Sequence, residues 1–135
     1  MALTTDYKTI PGLSANSTGL ATSQFLFGKL ASTAGKVILA GALNSTAIAT
    51  PCVMGVIMNK PGANEEVEFA VSGIVKAMVA TSTIIIGDPV GINSTSKGSE
   101  VAETDNLAFI GRALEASSAA NDVITLLLLG QAQRF

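Results

Sequence analysis

The chain contains no histidine, no tryptophan, one tyrosine and one cysteine. Each shortage excludes chemistry. Without histidine the commonest general base and transition-metal ligand are missing, and neither a Ser-His-Asp nor a Cys-His site can be built. With Cys52 alone there is no intrachain disulfide, and a zinc site would need carboxylates around a single thiol, an unusual donor set. Cys52 sits in the apolar run ATPCVMGVIM and reads as a buried, inert thiol. Charge is scarce as well. Only 13% of residues are charged, against about 25% in an ordinary globular chain. A solitary molecule relies on surface charge for solubility, so the shortage implies a surface partly covered by other chains.

The 135 residues amount to one domain with room for an added arm. The formal net charge of −2 gives no electrostatic case for nucleic-acid binding. The opening MALTTDYKTIPGLSANSTG lacks the basic start and apolar core of a leader peptide. Val37–Asn59 is apolar and free of charge, but Asn44-Ser45-Thr46 and Thr50-Pro51 break it with turn residues, so no membrane span is expected. Asn-Ser-Thr recurs at Asn16, Asn44 and Asn93. These triplets read as turns in which the Asn side chain bonds nearby backbone.

Residues 1–22 are rich in Thr, Ser, Asn, Gly and Ala, with sparse apolar groups. They read as an extended N-terminal arm, either disordered or ordering on a partner. Leu3, Tyr7, Ile10 and Leu13 are its candidate contacts. From residue 23 to residue 135 the pattern is that of a single β domain. Strand patterns begin at QFLFGKL, with Phe25, Phe27 and Lys29 on one face. KVILAG, CVMGVIMN, EEVEFAV, IVKAMVA, PVGI, LAFIGRALE and DVITLLLL follow. In EEVEFAV the alternation points Glu66 and Glu68 outward and Val67, Phe69 and Val71 inward. Ser72-Gly73 suits a reversal or a bulge. Short helices are conceivable at Ser14–Leu20 and Leu114–Ala120. Eight or nine short strands spaced by turn signals predict a mainly β protein, a small antiparallel barrel or sandwich.

Two strands, Val53–Met58 and Val123–Leu129, are apolar on both faces, whereas an antiparallel sheet commonly has one wet face. Either they lie doubly covered inside a barrel, or their second faces meet copies of the chain. The low charge count favours the second. The candidate interface is then Met54, Val56, Met58, Ile124, Leu126 and Leu128. Glu65, Glu66 and Glu68 read as a solvated strand face rather than a calcium or glycosidase site, and Glu100, Glu103 and Asp105 lack calcium-loop spacing. The glycines of GDPVG come without a phosphate loop's lysine. No catalytic residue, cofactor or metal is expected.

The order of segments carries a resemblance. It runs from GKVILAG and GVIMN through GANEEVEFAVSGIVKAMVA and IIIGDPVGIN to NLAFIGRALEASSAANDVITLLLLG. Over residues 24–130 this resembles the small capsid cement, or decoration, proteins of tailed bacteriophages. The matching positions are Glu66–Val75, Gly87-Asp88-Pro89-Val90, Phe109–Glu115 and Val123–Leu129, and Pro89 departs from the pattern. The resemblance implies a β-tulip-like fold and a structural virion protein without enzymatic activity. It implies a homotrimer on the outer capsid surface, made in the host cytoplasm and bound to the major capsid protein through the arm. A tail or fibre subunit and a small ligand-binding β-barrel are the competing expectations.

Overall fold

The computed structural model describes residues 4–42, 53–101 and 108–134. Among them there is no helix. Ten strands form one sheet: β1 (Asp6–Thr9), β2 (Ser14–Ala15), β3 (Phe27–Leu30), β4 (Lys36–Leu39), β5 (Met54–Ile57), β6 (Phe69–Met78), β7 (Pro89–Ile92), β8 (Gly98–Glu100), β9 (Ala108–Ala113) and β10 (Val123–Arg134). The hydrogen-bonded order is β2-β4-β3-β5-β6-β10-β9-β7-β8, with β1 on β6 outside this path. The mainly β expectation holds. The pairing is that of a single open sheet rather than of the expected barrel or sandwich.

Sheets of this many twisted strands curl. Here the curl brings the β8 end back to β6, where Val79 bridges Gly98 in parallel. A Cβ on Gly98 would lie 3.1 Å from Val79 and 3.5 Å from Phe27, so the absent side chain is what lets these strands close on one another. Phe27, Val56, Val75, Val90, Ile110, Ile124 and Leu126 then pack into one buried cluster drawn from both ends of the sheet.

A second cluster lies on the other side of β5 and the start of β6. It joins Leu13, Ala15, Leu20, Val37, Ile57, Val67 and Phe69. It corrects the arm expectation. β1 pairs antiparallel with β6, and β2 pairs parallel with β4. The backbone amide of Ala15 also donates to Glu65 O at 2.9 Å, and that of Leu20 to Pro61 O at 2.8 Å. Residues 4–22 are therefore built into the domain. They cover the apolar surface that β5 and β6 present on their second side.

Several further expectations shift. The strand expected from Gln24 begins only at Phe27, because the Leu26 amide closes a turn onto Ser23 O at 3.1 Å and Phe25 takes a left-handed φ of 68°. Ser72-Gly73 causes no reversal. β6 runs through it, with Gly73 at φ 106° and a register shift between Lys8 and Thr9 on β1. Neither short helix forms. Ser14–Leu20 is β2 and a turn, and Leu114–Ala120 is a bent connection. The Asn-Ser-Thr turns hold where described. Asn16 Oδ1 accepts from the Thr18 amide and hydroxyl, and Asn93 Oδ1 accepts likewise from Thr95. Asn44 and Cys52 lie outside the described residues, as do Glu103 and Asp105.

Candidate interaction surface

The β6–β10 register decides which side chains the molecule shows. Ile124 pairs with Ala77 and Leu126 with Val75, and all four are buried in the first cluster. The alternate pairs, Val123 with Met78, Thr125 with Lys76 and Leu127 with Ile74, therefore point to the other side of the sheet, where Val123 and Leu127 are exposed and Thr125 is buried against Lys76 and Glu115. This corrects the expected interface. Val56, Met58, Ile124, Leu126 and Leu128 belong to the chain's own core, and Met54 packs against it. The exposed apolar groups have the opposite parity on β10: Val123 at 38%, Leu127 at 39% and Leu129 at 38% exposure. On β5 both faces are used internally, with Val56 in the first cluster and Ile57 in the second.

The outer face is organised in cross-strand rows. One row runs Asp6–Ile74–Leu127–Arg112–Pro89, across β1, β6, β10, β9 and β7. A second holds Lys76 and Thr125, and a third Met78 and Val123. The middle row is polar and internally satisfied. Lys76 Nζ donates to Glu115 Oε1 at 2.9 Å and to Thr125 Oγ1 at 2.6 Å. The Thr125 amide donates to Glu115 Oε1 at 2.9 Å, and the Thr125 hydroxyl donates to the same oxygen. These Thr125 bonds, with the Lys76 charge, hold the Glu115 carboxyl below its ordinary range. A fixed ionic row thus divides the apolar pair Met78–Val123 from a row that is apolar at Ile74 and Leu127 and charged at Asp6 and Arg112.

On β9, Arg112 Nη1 donates to Gly87 O at 3.1 Å and its guanidinium lies 5.3 Å from the Phe109 ring centre. Gly87 closes the turn Ile85–Asp88, in which the Asp88 carboxylate accepts from the Ile85 amide at 3.0 Å. The turn is fastened to β9, Gly87 N–H donating to Ala113 O at 2.8 Å and Ala113 N–H to Asp88 O at 2.9 Å. It displays Ile85 and Ile86 at 62% and 69% exposure. On the opposite flank Asp6 is exposed and, among the described residues, has no ion-pair partner.

The expected arm contacts are occupied elsewhere. Leu13 is buried and Ile10 packs on the second cluster. Tyr7 packs on the first cluster and donates its hydroxyl to Glu68, while Leu3 lies outside the described residues. Glu65 caps its own turn, accepting from the Gly62 amide at 2.9 Å. Among the described residues no three acidic, cysteine or histidine groups come together as metal ligands would. An open recess between residues 16–17 and 31–38 contains Lys36. Its ammonium donates to Ser14 Oγ, Ala15 O and Asn64 Oδ1, which uses every donor a lysine has and leaves none for an anion.

The family model described as phage cement protein matches residues 21–128. The chain belongs to the phage cement protein family. No curated relative matches it. The family region takes in β3 to β9 and the first half of β10, the strands that carry the first cluster. β1, and the segment of β2 whose Leu13, Ala15 and Leu20 help close the second, lie before it. Family membership gives the chain a structural role in the virion and places its interest in surfaces rather than in a catalytic cleft. The residues that composition missed on that surface are Val123, Leu127 and Leu129. The signal was present at Thr125, the one hydroxyl in the outward parity, and in Lys76 opposite it.

Proposed function

We propose that this chain decorates the outside of a phage capsid and stabilises it, binding the major capsid protein lattice as a homotrimer without enzymatic activity. The family match over residues 21–128 carries this reading. The physics supports it. A trimer seated where several capsid subunits meet engages each at once, and joined weak contacts hold far more tightly than any one alone. A protein that binds the assembled shell and not its dissociated subunits stabilises the shell by mass action.

Add-back to purified capsids lacking the protein tests this. Cryo-electron microscopy should show saturable density on the outer surface, and decorated shells should survive heating that disrupts bare ones. Absence of binding to shells would overturn the reading. Recovery of the protein on tails instead would replace it with a tail component.

A further inference from the structure

We propose that the outer face of β6 and β10 is where copies of this chain meet, cyclically around an axis running along these strands, with Asp6 of each copy against Arg112 of the next. The partner is a second copy, and the inference rests on the oligomeric reading above.

The argument is one of charge and level. Asp6 and Arg112 stand in the same cross-strand row, on opposite flanks of Ile74 and Leu127. Rotation about an axis parallel to the strands keeps every row at its own height. It brings one flank of a face against the opposite flank of its neighbour. The acidic end of the row then meets Arg112, one strand in from Pro89 at the other end, and the exposed Leu127 side chains converge between them. The row of Met78 and Val123 meets its own kind in the same way, apolar against apolar. In the row between, Lys76 on β6 and Glu115, which reaches in from beyond β9, are already paired within each copy. That row therefore enters the contact without unpaired charge, the condition that makes burial of ionic groups tolerable. Lys8 lies on the Asp6 flank in the row of Ser72, one row away from Arg112. Arg112 is held in place by Gly87 O and Phe109, so little side-chain freedom is lost when it finds a carboxylate.

A charge-swap series on the full chain tests it, read by sedimentation equilibrium. The unmodified chain should form one closed oligomer. Asp6→Arg and Arg112→Asp should each weaken assembly about tenfold or more, and the two combined should recover most of the loss. Leu127→Gln, at an exposed position, should weaken assembly without altering the circular dichroism spectrum or thermal midpoint of the chain diluted until it is dissociated. An unmodified chain that stays monomeric, single swaps that leave the mass unchanged, or a double swap that fails to recover would each overturn the proposal. The outcome is separable from the capsid reading. A monomer that still decorates shells refutes this interface alone, and a closed oligomer that ignores shells refutes decoration alone.

Discussion

Tyr7 is the only tyrosine in a chain without tryptophan, so its ionisation can be followed by absorbance with no interference. Its hydroxyl donates to the Glu68 carboxylate, and that bond, with partial burial and the nearby negative charge, pushes its pKa up to about 12 from 10.0. The folded value is the higher one. The stabilisation is therefore complete below pH 10 and is lost as the pH climbs through about 12. Phenolate absorbance should show a midpoint near 12 in the folded chain and near 10 in denaturant, and Glu68→Gln should bring the folded midpoint down. A folded midpoint near 10 would mean the Tyr7–Glu68 bond does not form in solution. The pairing was not legible in the sequence. Tyr7 and Glu68 stand far apart in the chain, and only the register of β1 on β6 brings them together.

At the scale of elements, sequence patterns were legible wherever one face of a strand differed chemically from the other. In IVKAMVA the single charge, Lys76, sits at the opposite parity from Val75, Ala77 and Val79, and those three are buried. PVGI, expected as a strand, is β7, and the polar residues after it turn back into β8. DVITLLLL offered no such contrast beyond Thr125, so its inward face is decided by β6 and β9 rather than by its own residues. Residues 1–22 misled for a related reason. Their apolar groups are few, yet Leu13, Ala15 and Leu20 are each buried, because they answer a surface on β5 and β6 that needed covering. Deleting residues 1–22 should therefore destabilise the domain and expose Ile57 and Phe69. The measurements are a lowered thermal midpoint and gained binding of a hydrophobic dye. An unchanged midpoint would mean that the segment adds nothing to the fold.

Across the whole molecule, the two clusters are opposite sides of the same strands. Phe69 lies in one and its neighbour Ala70 in the other, while Val56 and Ile57 divide in the same way. Neither can melt without releasing the backbone that carries the other, so unfolding should be a single cooperative transition. Calorimetry of Phe69→Ala and Ile110→Ala should show that one transition moved down in both variants, with losses of about 3–5 and 2–5 kcal/mol respectively. Two resolved transitions would overturn this coupling.

β6 has a mechanical consequence. Its Ile74 is paired on one edge with Asp6 and on the other with Leu127, and β10 runs antiparallel to it from Val123 to Leu128. Tension applied along these strands would strain that whole ladder in shear, many bonds sharing the load, whereas a pull across the sheet would unzip them one after another. In a shell stretched by the pressure of its contents, the direction in which the protein is gripped would matter as much as how tightly.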